Sequence, residues 1–153
     1  MDGNSKKVLE ILQAQCSKRE YCTSDILEKA SRRLDWDTSA AEEVAAALVK
    51  DDFVNDLRFA EAFARDKSSL SGWGTVKIRY ALAAKRIPKE TIDRALAGID
   101  TGRAADKMTR LLESKWKTLE GDGQGRLKLL KFALSRGYEY DDVKQAVDEI
   151  TSR

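Results

Sequence analysis

The sequence predicts an all-α protein built from three tandem three-helix repeats, and three observations support this prediction. The chain of 153 residues has nine glycines and one proline, which is too few turn-forming residues for a β-rich protein. Its apolar residues recur at the spacing of amphipathic helices. The pattern in the middle of the chain also returns about fifty residues later, which is typical of a repeat protein.

The first predicted repeat covers residues 1–54. Its first helix, over residues 5–18, has an apolar face formed by Val8, Ile11, Leu12 and Cys16. A second helix begins where Thr23, Ser24 and Asp25 provide N-cap residues. A third begins at Ser39, because Ser39 and Glu42 have the spacing of a capping box.

The second predicted repeat covers residues 55–99. Phe59 lies on the apolar side of its first helix, and Trp73, flanked by two glycines, marks the turn that follows. The next helix is predicted over residues 75–85. Pro88 suits the first position of the third helix, since its fixed backbone angle matches a helix start.

The third predicted repeat covers residues 100–153. Leu112 lies on a long first helix, which the glycine-rich segment 121–125 ends. A second helix is predicted over residues 126–136. Val147 then belongs to the apolar stripe of a final helix.

An internal period supports this division. A shift of 51 residues pairs Gly74 with Gly125, Lys77 with Lys128, Lys85 with Arg136, Ala95 with Ala146, and Ile99 with Ile150. Applied backwards, the same shift gives a weaker match in the first third of the chain. We therefore expect each repeat to stack on its neighbour and hide faces that it could not bury alone.

The sequence shows no catalytic constellation. Histidine, the commonest general base and metal ligand, is absent. Cys16 and Cys22 match no zinc or redox spacing, and the segment 72–77 lacks the features of a phosphate-binding loop. We expect a protein that is not an enzyme and has no metal and no cofactor. The chain start lacks the apolar stretch of a signal peptide, so we expect a cytoplasmic location and no membrane partner.

Charge is distributed unevenly although the net charge is only +2. Residues 1–54 lean acidic, whereas no carboxylate occurs between Asp66 and Glu90. The predicted binding residues are cations of this run and of the repeat-equivalent helix: Lys67, Lys77, Arg79, Lys85, Arg86, Lys128, Lys131 and Arg136. Such a basic strip indicates a partner that is a polyanion. The alternative is a pair of ordinary solvated helix faces.

Four aromatic residues have two possible roles. They could stack on bases, but we predict burial in the core or at repeat junctions for Trp73, Tyr80, Trp116 and Tyr138. Asp56 and Arg58 begin a helix two positions apart. They are either a cap with a surface cation or a contact site for a partner.

These residues carry a family resemblance. The segments Asp56-Leu-Arg58-Phe59-Ala60, Gly72-Trp73-Gly74 with Lys77-Ile78, and Arg136-Gly137-Tyr138 resemble signatures of the RecX family of recombination regulators. The resemblance spans nearly the whole chain and is strongest over residues 53–99. Two segments depart from it. Lys85-Arg86-Ile87 stands where the family usually has Lys-Gly-Ile, and Leu34-Asp35-Trp36 matches the equivalent first-repeat turn poorly.

The resemblance implies an elongated, curved array of repeats that acts as a monomer in DNA repair and the SOS response. Members of the family bind the RecA recombinase filament on single-stranded DNA, limit its growth, and damp its ATPase, strand-exchange and coprotease activities. Binding to duplex DNA is expected to be weaker. On this basis the predicted cations face the filament, and the family-motif residues are contacts or scaffold: Asp56, Arg58, Phe59, Trp73 and Gly74.

Two other functional classes compete with this interpretation. A stand-alone basic DNA-binding module without a recombinase partner would show one dominant recognition helix or a dimerisation pattern, and neither is evident. A helical adaptor that binds only proteins would leave the acid-free strips unexplained.

Overall fold

The computed structural model describes all 153 residues as an all-helical chain without β-strands. Its nine helices are α1 Gly3–Cys16, α2 Thr23–Arg33, α3 Thr38–Lys50, α4 Asp56–Ser69, α5 Thr75–Ala84, α6 Lys89–Ala97, α7 Thr101–Lys117, α8 Gly125–Ser135 and α9 Tyr140–Thr151. The predicted all-α class is confirmed, and three helices fall within each predicted repeat.

Several helices start at a side-chain cap. Asp37, and not Ser39, caps α3, because its carboxylate accepts a hydrogen bond from the Ala40 amide at 3.1 Å. The predicted capping box is therefore wrong by two residues. At the start of α4, Asn55 accepts from the amide of Arg58 at 2.9 Å. Such caps satisfy amides that have no partner within the helix.

One predicted core position is also wrong. Ile11 is 39% exposed, whereas Ser5 is buried on the same helix. The buried stripe of α1 runs through Ser5, Val8, Leu12 and Cys16. Ile11 lies one position to the side of this stripe, so its side chain turns toward solvent.

Each end of the chain has its own core. Leu12, Ile26, Val44 and Leu48 are fully buried where α1, α2 and α3 pack together. In the last third, Leu112, Leu129, Val143 and Val147 are fully buried between α7, α8 and α9. Burying one such side chain stabilises the fold by about 1.5–3 kcal/mol.

The chain divides into two compact units. The first compact unit comprises residues 1–62 and 82–94, and the second comprises residues 63–81 and 95–153. Residues of the middle predicted repeat therefore occur in both units. The repeat boundaries at 54/55 and 99/100 stay a prediction about sequence recurrence.

Backbone geometry repeats with the predicted period. Asp35, Arg86 and Gly137 have left-handed φ angles of 52°, 62° and 87°, and they are spaced 51 residues apart. Each follows the second helix of its predicted repeat. Equivalent hydrogen bonds close two of these turns, from the Trp36 amide to Ser31 O at 2.8 Å and from the Ile87 amide to Leu82 O at 3.3 Å. This is the usual ending of a helix with a left-handed residue.

Only the last of these turns requires glycine for space as well as for its φ angle. A Cβ atom at Gly137 would overlap Cβ of Lys77 and lie 2.6 Å from the Lys77 amide nitrogen. The start of α5 thus packs directly on this turn. Arg86 occupies the equivalent turn with an exposed side chain, so its left-handed backbone carries a strain that glycine would not.

Substitutions at these equivalent turns are expected to have opposite effects on stability. Arg86→Gly should raise the free energy of unfolding by about 0.5–1 kcal/mol, because it relieves the left-handed strain. Gly137→Ala should lower it by at least about 2 kcal/mol, through strain and the overlap with Lys77. Urea unfolding monitored by circular dichroism measures both. A destabilised Arg86→Gly, or a Gly137→Ala as stable as the parent chain, would contradict this account.

Candidate functional site

Two of the predicted cations lie on one indole ring. Lys67 in the last turn of α4 places its Nζ 4.6 Å from the ring centroid of Trp73, and Lys77 in the first turn of α5 places its Nζ 4.4 Å away. Phe63 packs edge-on against the same indole, with centroids 6.1 Å apart. Each cation–π contact contributes about 0.5–1 kcal/mol at an exposed site. The two ammonium groups, here called the lysine pair, are therefore held on one small patch.

The glycines beside Trp73 bring two helix ends together. The amide of Gly74 donates to the carbonyl of Arg136 at 2.8 Å, and the amide of Val76 donates to the carbonyl of Gly137 at 2.9 Å. A Cβ atom at Gly74 would overlap the Gly137 backbone. The Val76 amide in the first turn of α5, and the Gly74 amide just before it, are thus satisfied by carbonyls of the turn after α8 (residues 136–138), here called the α8 turn. These two amides are consequently not free to cradle a phosphate, as a nucleotide-binding loop would require.

The side chains of the α8 turn complete this junction. The Tyr138 hydroxyl donates to the Gly72 carbonyl at 2.7 Å, and burial raises the pKa of that hydroxyl. The Arg136 guanidinium donates from Nη2 to the carbonyl of Ser71, while its Nε is buried without a partner. Arg136 is thus half-buried and uses part of its guanidinium within the fold.

The predicted cations of the first compact unit differ from each other. Lys85 is half-buried, with its Nζ 3.0 Å from Oδ2 of Asp25 and 5.7 Å from the ring centroid of Phe59. Its carbonyl accepts a hydrogen bond from the Ser24 hydroxyl at 2.8 Å. Arg86 is exposed and makes no ion pair. Its charge therefore stays available to a partner, whereas much of the Lys85 charge is compensated.

The same contrast holds along α8. Lys128 places its Nζ 2.6 Å from Oδ2 of Asp122, and this hydrogen bond lowers the pKa of the Asp122 carboxyl. Lys131, one turn nearer the end of α8, is exposed and makes no ion pair. Arg79, on α5, is half-buried. The eight predicted residues thus include cations that the fold already uses and cations that it leaves available.

The family-motif residues at the start of α4 make contacts within the first compact unit. The Asp56 carboxylate accepts from the Thr23 amide at 2.8 Å and from its hydroxyl at 3.1 Å, which caps α2. Arg58 pairs with Glu20 at 2.6 Å and with Asp52 at 3.1 Å, and the Glu20 hydrogen bond raises the pKa of Arg58. Phe59 is buried. These contacts account for all three residues as scaffold, and a contact with a partner stays a prediction.

One aromatic residue departs from the predicted burial. Tyr80 is 79% exposed on α5, because Ile78 and Leu82 on either side of it point into the core. Tyr138 is buried as predicted, and Trp73 and Trp116 are half-buried.

The two cysteine thiols of the chain, Cys16 and Cys22, are buried, and burial raises the pKa of both. Thiols of this kind stay protonated and unreactive near neutral pH.

Comparisons with known proteins show which family the chain resembles. A family model described as "RecX, second three-helix domain" matches residues 55–96. A protein of Prosthecochloris aestuarii named "Regulatory protein RecX" is 29% identical over 150 residues, which cover 97% of each chain. A protein of the same name from Clostridium botulinum (strain Alaska E43 / Type E3) is 32% identical over 118 residues. The chain is similar to proteins of the RecX family.

The relatives differ in length. The match to the Clostridium botulinum protein covers 74% of this chain and 55% of that protein, and the match to a Clostridium tetani relative covers 54% of that protein. The chain thus aligns with about half of these clostridial members of the RecX family and with nearly all of the Prosthecochloris aestuarii member.

The RecX fold is also seen in solved structures. The crystal structure of RecX from Lactobacillus salivarius matches with a TM-score of 0.80 over 98% of each chain, at 19% identity. A crystal structure described as "regulatory protein RecX" matches with a TM-score of 0.82 over 95% of this chain and 72% of that one, at 18% identity. None of the nine helices is both long and apolar enough to cross a bilayer.

Titration of Asp122 reports whether Lys128 is engaged in the free protein. Because Lys128 lowers the pKa of Asp122, Lys128→Met should move that pKa back up toward its ordinary value, as measured by NMR. A lowered folded-state pKa stabilises the fold above the pH at which the unfolded carboxyl ionises. That stability is lost as pH falls through the folded pKa, so the variant should lose less stability on acidification.

Lys131→Met is the matched control, since Lys131 lies on the same helix and makes no ion pair. It should leave the Asp122 titration unchanged. An Asp122 pKa that is equal in the parent chain and in Lys128→Met would show that this pair does not form in solution.

Proposed function

We propose that this chain is a RecX-type regulator that binds the RecA recombinase filament on single-stranded DNA and inhibits or modulates its ATPase, strand-exchange and coprotease activities. Similarity to the RecX family supports the regulatory class, since the relatives are named "Regulatory protein RecX". The observation that carries the proposal is the lysine pair, Lys67 and Lys77, anchored on Trp73 within a run that contains no carboxylate.

The lysine pair is suited to phosphate because its charge is ordered but not neutralised. A lysine held by a carboxylate loses most of its field, as at Lys85 with Asp25 and Lys128 with Asp122. A lysine held over an indole keeps its full charge and loses less conformational freedom when it binds. Displacement of counterions from a nucleic acid strand then favours association.

Tyr80 adds an exposed ring to the same helix as Lys77. Its side chain lies one turn beyond Val76, which is itself 49% exposed. An exposed tyrosine next to cations can stack on an unpaired base or pack against protein. A surface that combines ordered cations with apolar groups fits a filament that presents both DNA and protein.

The kind of contact that the lysine pair can make supports a nucleoprotein partner over DNA alone. The Gly74 and Val76 amides are bonded to the carbonyls of Arg136 and Gly137, so these two amides are not available to a phosphate and the lysine side chains are. Contacts between lysine side chains and phosphates position a protein on DNA but carry no sequence specificity. Selective action requires a second source of recognition, which the recombinase would supply.

Reversal of the lysine pair should weaken this activity. In the variant Lys67→Glu/Lys77→Glu, the concentration needed for half-inhibition of RecA ATP hydrolysis on single-stranded DNA should rise at least about tenfold. Arg103→Glu/Lys117→Glu is the matched control, since both residues are exposed cations of α7 that make no ion pair. The control should inhibit like the parent chain. Full inhibition by Lys67→Glu/Lys77→Glu, with its helical content unchanged, would show that this patch is not the contact surface.

The stand-alone DNA-binding class is separated by the same reagents. Binding of the chain to single-stranded DNA is measured without RecA over a range of salt concentrations. If the two lysines meet phosphates, log K should fall with log salt about 1.4 units less steeply in Lys67→Glu/Lys77→Glu. Tight DNA binding together with no effect on RecA would favour the stand-alone module.

A further inference from the structure

We propose that a second surface, on α7 and α9, binds a basic amphipathic helix of a partner protein. The site is a groove of about 520 Å³ in the second compact unit, here called the acidic groove. Its apolar floor includes Trp73, Leu96, Ile99, Met108, Tyr138 and Ala146.

Helix α9 presents two different faces. Val143, Val147 and Ile150 are buried in the core. A second stripe on the same helix lines the groove, and its members lie at helical spacing: Asp142, Gln145, Ala146 and Glu149. The helix is therefore apolar toward the core and acidic toward the groove.

All charged residues that line the groove are carboxylates. They are Glu139, Asp142 and Glu149, although the chain contains 28 lysines and arginines. Asp142 makes no ion pair, and Glu149 has one exposed contact, with Arg153 at 3.4 Å. Glu139 accepts one long hydrogen bond, from Thr75 at 3.4 Å. The carboxylates of the groove attract lysine or arginine side chains, and the lysine pair lies beside the groove, on the Trp73 ring that forms part of its lining.

The floor is apolar and its walls carry small residues. Leu96 and Ile99 are half-buried, so part of each side chain is open to an occupant. Ala105 on α7 and Ala146 on α9 both line the groove, and their small side chains leave room for inserted side chains. An apolar groove bordered by charge is the usual receptor for an amphipathic helix.

The spacing of the acids sets the pattern of the occupant. Asp142 and Glu149 are seven positions apart on one helix, which places them about 10 Å apart along its axis. A helix laid along the groove would match them with two basic residues that are also seven positions apart. Its leucine or methionine side chains between those positions would meet the floor.

Peptide binding tests this proposal directly. The probe is a fluorescein-labelled 14-residue helical peptide of Ala and Leu with two lysines seven positions apart, and its counterpart has glutamate in place of lysine. Fluorescence anisotropy with the full chain should give at least about tenfold tighter binding of the lysine peptide. NMR of the Ile99 and Ala146 methyl groups locates the bound peptide.

Two charge-reversed variants complete the design. Asp142→Lys/Glu149→Lys should abolish binding of the lysine peptide. Asp106→Lys/Glu120→Lys makes the same change in net charge at exposed acids outside the groove, and it should bind the lysine peptide within about twofold of the parent chain.

Other results would overturn the proposal. Equal binding of both peptides, or equal loss in both variants, would mean that the lysine peptide responds to net charge and not to the groove. Unchanged Ile99 and Ala146 methyl signals would place the peptide elsewhere. Self-association of the chain that Asp142→Lys/Glu149→Lys removes, seen by sedimentation, would replace the partner helix with a second copy.

Discussion

The second compact unit depends on one close backbone crossing. Gly74 and Gly137 approach so nearly that neither position has room for a Cβ atom. This contact lets the Gly74 amide reach the Arg136 carbonyl and presses the Lys77 backbone onto the α8 turn. Trp73 directly precedes Gly74 in the chain, and the lysine pair lies on its ring. The close approach of the two backbone segments thus determines the position of the two lysine charges.

The first compact unit makes an equivalent junction with different chemistry. There the Lys85 carbonyl, one period before that of Arg136, accepts from the Ser24 hydroxyl at 2.8 Å. The Asp56 carboxylate accepts a hydrogen bond from the Thr23 amide at the start of α2, whereas backbone carbonyls accept from the amides at the start of α5. In this unit side chains form the hydrogen bonds that backbone carbonyls form at the start of α5, so the two backbone segments need not approach each other closely. This explains how Arg86 can occupy a turn equivalent to the one in which Gly137 is required for space.

Much of the fold could be predicted from sequence because helices leave a local pattern. Apolar spacing located all nine helices, and the glycine turns at Gly74 and Gly137 marked their recurrence. Exposure within a helix was harder to predict. Tyr80 and Ile11 are open to solvent because their neighbours, and not they, point at the core. Local helix propensity does not indicate which side of a helix packs against its neighbours in the fold.

The candidate site could be predicted only in part. Sequence showed the acid-free strip, but not that Lys85 pairs with Asp25, sixty positions away. Such ion pairs depend on tertiary contacts, and they determine which cations stay available to a partner. The local sequence around a lysine therefore does not predict whether its charge is paired. The acidic groove was missed altogether. The helical spacing of Asp142, Ala146 and Glu149 was a usable signal, but its meaning depends on the α7 wall opposite it.

Hydrogen exchange at the crossing tests the central claim most directly. If the crossing holds the second compact unit together, the amides of Gly74 and Val76 should exchange with the same free energy of opening as the buried Leu112 and Val143 amides of that unit. Exchange of Gly74 and Val76 at rates typical of a frayed turn, while Leu112 and Val143 stay protected, would contradict the account.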